Sequence, residues 1–334
     1  MPEAQACRIV FMGTPELAAV VLRRLLGWPR GQVVAVYTQP DRPAGRGHRL
    51  RPSPVKELAL AEGLPVVQPL NFRSEAAVQA LAALRPDVLV VAAYGLILPQ
   101  AVLDIPRLAP VNVHTSLLPR YRGAAPIQRA IMENWQDDAE SGVSIMRMEA
   151  GLDTGPVYAQ RRIPLAGQTA GSLHDALADL GAEALLEVLG DLLDGRAVPQ
   201  AQDERLASYA AKVFKEDGYV DWDAPLAQVH ARIRGVTPFP GARTELEAAC
   251  LDAPLVLQLQ PGEGEAFAPG EAPACGSVRR DRRGLSIACR DGWYRLTRLR
   301  PPARQEMEAV ALCNGMLRQA EQGIFGMARK PQAQ

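Results

Sequence analysis

The stretch from Val88 to Leu98 constrains this chain more than any other: eleven apolar residues in a row, closed by Asp87 and Pro99. A membrane-spanning helix needs about 20 such residues, so the run is expected to lie inside the protein. A strand that is apolar without alternation hides both of its faces. That is the mark of a central strand in a parallel sheet covered by helices on each side. The flanking sequence supplies the partners. Apolar runs at 8–12, 33–38, 65–67 and 88–92 read as strands, and 15–26, 53–61 and 74–84 read as helices. Ser53 before Pro54 and Ser74 before Glu75 have cap and first-turn chemistry. Strand–helix alternation of this kind predicts an α/β fold with a doubly wound, mainly parallel sheet.

Further strands are expected at 111–114, 143–148 and 157–163, with helices at 126–133 and 172–193. The pattern then changes. After a helix at 225–234, short strands at 255–259, 277–279, 285–289 and 293–299 crowd together with turn signals between them, as in a small OB-like β-barrel. Residues 261–275, rich in Gly, Pro, Glu and Ala, read as an exposed loop, and the tail after Gly326 as frayed. At 334 residues two domains are expected. We place a catalytic domain at 1–194, a linker at 195–211 and a second domain at 212–325.

Five scattered cysteines and no C-x-x-C argue against a disulfide framework or a zinc knuckle. The first twenty residues have neither signal-peptide nor transit-peptide character, so the chain reads as cytoplasmic, with no membrane association. Acidic and basic side chains balance at 37 each, which hides an uneven distribution. Residues 39–56 carry five Arg or Lys against one Asp, and 277–304 carry nine Arg against two Asp. In the first segment Pro40, Pro43, Gly45 and Gly47 argue against regular structure, so Arg42, Arg46, His48, Arg49 and Arg51 are expected on an exposed, irregular loop.

No G-x-S-x-G elbow, P-loop, H-E-x-x-H or complete G-x-G-x-x-G is present. Gly13 after the first strand is weak evidence for a nucleotide site and reads as a tight strand–helix turn. The informative segment is Asn112-Val113-His114-Thr115-Ser116-Leu117-Leu118-Pro119-Arg120-Tyr121-Arg122-Gly123. Asn112 and His114 lie two apart on a strand and share a face, at the C-terminal end where open α/β sheets bind ligands. A second loop, Gly151-Leu152-Asp153-Thr154-Gly155, presents a carboxylate between glycines. Amide, imidazole and carboxylate together suit acyl transfer to an amine. A satisfied structural histidine fits the same residues. Ser116 as a nucleophile has no base beside it in the sequence.

These segments, with Phe11-Met12-Gly13-Thr14-Pro15, resemble the formyltetrahydrofolate-dependent formyltransferases. The stretches 38–47, 52–56, 92–99 and 122–128 resemble the branch whose acceptor is the methionine of initiator tRNA. The likeness covers nearly the whole chain, strongly over 8–155 and thinly after about Thr244. It implies a Rossmann-like formyltransferase domain, 10-formyltetrahydrofolate as cosubstrate, no metal, initiator methionyl-tRNA as partner, and a monomer without an obligate protein partner. By resemblance Asn112, His114 and Asp153 are catalytic. Folate contacts fall to Val91, Ala92, Tyr94, Gly95, Leu96, Ser116, Leu117, Leu118, Pro119, Ser144 and Met146. The tRNA falls to Arg42, Arg46, Arg49, Arg51 and Lys56, with Arg42 near the terminal base pair. A second tRNA surface is expected on the basic strands of 277–304, interleaved with Trp293 and Tyr294. Thr115 and His48 depart from the family pattern, where a small residue and a lysine are usual. Two rivals stand: a formyltransferase for a nucleotide sugar or glycinamide ribonucleotide, and a non-catalytic tRNA- or folate-binding protein.

Overall fold

The computed structural model describes residues 6–44, 49–135 and 138–331, and the chain divides into two compact units. The first gathers Met1–Pro126, Ser141–Ile163 and His174–Ala210, and the second Ile127–Glu140, Pro164–Leu173 and Ala211–Gln334.

In chain order the elements begin β1 (Cys7–Gly13), α1 (Glu16–Leu26), β2 (Gly31–Tyr37), β3 (Arg42–Ala44), β4 (Arg49–Arg51), α2 (Pro54–Ala61), β5 (Val66–Val67) and α3 (Glu75–Ala83). They continue β6 (Val88–Ala92), α4 (Gln100–Leu103), β7 (Ala109–His114), β8 (Arg122–Gly123), α5 (Pro126–Glu133), β9 (Glu140–Arg147), β10 (Val157–Pro164), α6 (Ala170–Leu193) and β11 (Tyr209–Ala210). Seven strands form one sheet in the order β10-β9-β7-β6-β1-β2-β5, parallel from β7 to β5 with β9 antiparallel to β7. All five residues of β6 are buried, as its unbroken apolarity predicts. On one face Val10 and Met12 of β1, Val91 of β6, Leu81 of α3 and Leu103 of α4 close into a core with Tyr94 and Leu98. Each such aliphatic side chain contributes about 1.5–3 kcal/mol. The Ser53 and Ser74 hydroxyls cap α2 and α3, accepting from the amides of Lys56 and Ala77.

From β1 the chain steps to β2 on one side and later crosses to β6 on the other, so the strand order reverses between β1 and β6. Gly13 ends β1 at that point. A Cβ there would stand 2.6 Å from the Ala18 Cβ and 2.9 Å from the Ala92 carbonyl oxygen, so this glycine serves close helix–sheet packing. The segment around Pro43 is more regular than its composition suggests. β3 and β4 pair as a hairpin, Arg42 opposite Arg51. A two-stranded ribbon is all edge, and Pro is tolerated at an edge.

The second unit continues with α7 (Leu226–Gly235), β12 (Ala242–Ala248), β13 (Leu255–Leu259), β14 (Glu263–Ala266), β15 (Ser277–Asp281), β16 (Gly284–Ala288) and β17 (Gly292–Leu296). β18 (Arg298–Arg300), β19 (Met307–Glu308), α8 (Ala309–Asn314) and β20 (Gly323–Arg329) complete it. Its nine strands form a curled antiparallel sheet, an OB-like half-barrel, in the order β14-β17-β16-β15-β20-β12-β13-β18-β19. Two expectations are corrected here. The loop expected at 261–275 contains β14, whose Glu263–Ala266 backbone pairs with β17. The tail expected to fray is β20, bonded to β12 on one side and β15 on the other. The Thr244 hydroxyl accepts from the Trp222 indole (2.8 Å) and donates to the Arg329 carbonyl (3.1 Å), tying β20 into the interior.

Candidate active site

Asn112 and His114 end β7 and are 9% and 6% exposed, polar side chains held in a strand that is otherwise core. His114 Nε2 donates to the Tyr121 carbonyl at 3.0 Å. That bond needs a proton on Nε2, so Nδ1 is the nitrogen that can gain or lose one. Nδ1 faces Asp153 Oδ2 at 3.6 Å, within Coulombic range but longer than a hydrogen bond. Asp153 Oδ2 accepts the Gly123 amide at 2.8 Å.

The Asp153 backbone sits at φ +52, in the left-handed region where a non-glycine residue costs about 1–3 kcal/mol and Asp and Asn are best tolerated. Gly155 then brings the loop back against β9 so closely that a Cβ would collide with the Arg147 carbonyl. Strand geometry thus fixes the amide and imidazole, and a strained turn delivers the carboxylate.

The segment read as a linker contributes to this arrangement. Gln202 Nε2 donates to the carbonyls of Asp153 (2.8 Å) and Gly155 (2.7 Å). Its Oε1 accepts from Arg122 Nε (3.1 Å) and Nη2 (2.8 Å). The Arg122 guanidinium also forks onto Glu204 at 2.8 and 2.7 Å, which raises the arginine's pKa and lowers that of Glu204. β11 pairs in parallel with β8, and the Ser208 hydroxyl accepts the Tyr121 amide at 2.9 Å. None of this was visible in the sequence, because a side chain bonding to distant carbonyls leaves no periodic trace.

The expected folate residues divide. Val91 and Tyr94 belong to the core, and Leu96 packs against it. Burial raises the pKa of the Tyr94 phenol, and its carbonyl already accepts from Thr14 Oγ1 (3.1 Å) and Gln39 Nε2 (2.9 Å). The Val91 and Tyr94 side chains are thus engaged in core packing. Ala92 is buried too, whereas Gly95 is exposed at φ +79 beside an exposed Ala93 at φ +44. Ile97, which the sequence reading passed over, is 92% exposed on the same loop.

Ser116 is buried and donates to the Arg120 carbonyl (2.6 Å), which leaves it unsuited to nucleophilic attack. The Ser144 hydroxyl donates to the Ser116 carbonyl (2.7 Å) and accepts from the Leu118 amide (3.0 Å) and Gln160 Nε2 (2.9 Å). The hydroxyl is a saturated brace for the Ser116–Pro119 turn. Leu118 and Met146 are buried, and Leu117 and Pro119 are half-buried. The half-buried Thr115 obstructs none of these bonds.

Of the basic residues, Arg46 and His48 lie outside the described residues, as does the Arg49 side chain. Arg42 and Arg51 are exposed and face each other across the hairpin, a like-charge pairing that costs stability unless an anion sits beside it. Arg42 Nη2 donates to Gln39 Oε1 at 2.5 Å. Lys56 is different. Its ammonium donates to Asp41 (2.7 Å) and Gln68 (2.9 Å), Gln68 Nε2 donates in turn to Asp41 (2.9 Å), and the bonds from Lys56 and Gln68 hold the Asp41 carboxyl below its usual range. Lys56 is corrected from a phosphate contact to a brace at the hairpin's base.

Most of the second basic patch is already paired within the chain. Arg295 and Arg283 pair with Glu265, Arg279 with Glu265 and Glu271, Arg290 with Asp223, and Arg298 with Glu306 and Glu308. Arg280 donates to the carbonyls of Leu317 and Ala320. Trp293 and Tyr294 are 1% and 0% exposed, so base stacking on them is excluded. Arg282, Arg300 and Arg304 remain exposed without a hydrogen-bonded ion pair among the described residues.

A mainly parallel sheet carrying an amide, an imidazole and a facing carboxylate beyond one strand's C-terminal end defines an acyl-transfer enzyme. The chain belongs to the formyl transferase family: the family's N-terminal model matches residues 7–189 and its C-terminal domain model residues 212–317. Its curated relatives are methionyl-tRNA formyltransferases. One from Desulfovibrio desulfuricans is 57% identical, covering 99% of both chains. One from Pseudomonas paraeruginosa is 50% identical over 95% of this chain and 98% of its own. The fold is shared with an N-formyltransferase from Helicobacter canadensis, solved with folinic acid and dTDP-3-aminofucose. The TM-score is 0.64 at 15% identity, over 87% of this chain and 98% of that one. Among the described residues no helix is long and apolar enough to cross a membrane, and no three His, Cys, Asp or Glu are grouped to hold a metal ion.

Proposed function

We propose that this enzyme transfers the formyl group of 10-formyltetrahydrofolate to the α-amino group of methionine on initiator tRNA. The observation that carries the acceptor is the hairpin: two arginines facing each other, exposed, and among the described residues without an ion-paired carboxylate. A nucleotide-sugar or glycinamide-ribonucleotide acceptor has no need of that pairing, whereas a tRNA acceptor arm supplies the phosphates that relieve it. A non-catalytic binder has no need of a strained aspartate aimed at a histidine.

The neutral α-amine attacks the formyl carbon directly, a C–N bond forms, and the carbonyl electrons move onto oxygen. The Asn112 amide donates to that oxyanion. His114, held by Tyr121 as an Nε2 donor, takes up the amine's proton at Nδ1, directly or through a water. The resulting positive ring then lies between the oxyanion and Asp153. Collapse breaks the bond to the folate nitrogen, which receives the proton. Asn112, His114 and Asp153 are the catalytic residues in this reading. Gly95, Ala93 and Leu117 offer the accessible folate surface, and Arg42, Arg46, Arg49 and Arg51 dock the tRNA.

Formyl transfer is measured from 10-formyltetrahydrofolate to methionyl initiator tRNA, with methionyl elongator tRNA, glycinamide ribonucleotide and a dTDP-amino sugar as rival acceptors. Turnover with the initiator substrate alone is expected. Preference for either small acceptor would refute the proposal.

A further inference from the structure

We infer that Gln202 is a positioning residue for this reaction, acting through Asp153, and that Arg122 with Glu204 holds it in place. The inference rests on the reading of Asp153 as catalytic. Three consecutive residues organise the centre: the Tyr121 carbonyl fixes His114, the Arg122 side chain holds Gln202, and the Gly123 amide holds the Asp153 carboxylate. Gln202 closes the ring by donating both amide protons to the carbonyls that flank the catalytic turn, those of Asp153 and Gly155.

Its whole hydrogen-bonding capacity is thus used in one orientation, with the oxygen toward Arg122 and the nitrogen toward the turn. The bidentate Arg122–Glu204 pair makes that orientation the only satisfied one, since a flipped amide would set its NH2 against a guanidinium. The turn benefits from such a hold because Asp153 is in a strained conformation, at φ +52. The 3.6 Å separation from His114 is a distance that small loop movements change greatly in energy.

Glutamate at 202 keeps the size and the pairing with Arg122 but donates to neither carbonyl. Methionine keeps the size alone. Misplacement of a catalytic group by about 1 Å costs up to about a hundredfold in rate. For Gln202→Glu and Gln202→Met we therefore expect kcat to fall at least about tenfold, with KM for donor and tRNA within about twofold. The pH profile of kcat/KM should shift as it does in Asp153→Asn, and thermal unfolding should confirm that each variant is folded. In an Asp153→Asn background the same substitutions should change kcat by less than about twofold, because the residue they act through has already lost its charge. Losses that multiply in the double variant overturn the proposal alone, as does a parental pH profile in both single variants. Parental kcat in Asp153→Asn removes the reading of Asp153 and overturns the proposal with it.

Discussion

Removing the Asp153 charge without disturbing its backbone isolates what that carboxylate does. Asparagine is the suitable replacement, since it shares the tolerance of aspartate for the φ of +52 found here and its amide oxygen can still accept the Gly123 N–H. What disappears is the attraction for the imidazolium at Nδ1. Two unit charges 3.6 Å apart, at an effective dielectric of about 20, attract by about 4.6 kcal/mol. The amide dipole retains part of that, so a loss of about 3–4 kcal/mol is expected, or two to three decades in kcat. Single-turnover formyl transfer to methionyl-tRNA with saturating donor measures it. Equilibrium binding of the donor should be unchanged, because the aspartate acts only once charge develops. A folded Asp153→Asn enzyme with kcat within fivefold of the parent would refute the reasoning.

Arg42→Ala should leave the free protein's stability unchanged or improved by up to about 1 kcal/mol, because a like-charge pair is relieved. The same variant should raise KM for tRNA with donor affinity intact, and unchanged kcat/KM in the formylation assay counts against the hairpin as a docking element. Trp293→Ala should cost about 3–5 kcal/mol of stability, read in urea melts, while the folded fraction keeps parental tRNA affinity. A large affinity loss in that fraction would restore a stacking role. His230 is half-buried beside Tyr294, whose Oη accepts the Gly262 amide at 2.7 Å and lies 3.2 Å from His230 Nδ1. Burial and the nearby Arg234 lower the pKa of His230 from 6.5, so between that value and the depressed one the unfolded chain binds more protons. The stability this confers is present above pH 6.5 and is lost as pH falls below it. His230→Gln should therefore lose less of its urea midpoint than the parent between pH 7.5 and pH 5.

What the sequence showed well was whatever local pattern records. β6 was legible because both faces are apolar, and the starts of α2 and α3 because Ser53 and Ser74 cap within three residues of themselves. Asn112, His114 and Asp153 were proposed from strand spacing and from resemblance; His114 and Asp153 face each other at 3.6 Å. The failures share a cause. β20 looked like a tail because Gly323-Ile324-Phe325-Gly326-Met327-Ala328-Arg329 has little alternation, and its order comes from two neighbours distant in the chain. Lys56 and most arginines of 277–304 looked available because formal charge says nothing of a carboxylate brought close by folding. Trp293 and Tyr294 followed the same logic in reverse: aromatic residues among arginines suggest a binding face, but each is covered on its own face of β17, Trp293 by Phe267 and Arg279 and Tyr294 by Trp222 and His230.

The central position of β20 has a consequence for synthesis. Strands β12 and β15 both precede in the chain the strand that bridges them. Until Arg329 has emerged, both present unpaired hydrogen-bonding edges, the kind of template on which nascent chains stick to one another. Yield of this enzyme should therefore depend on residues 323–329 far more than their composition suggests. A nonsense change just before Gly323 would leave the sheet in two pieces.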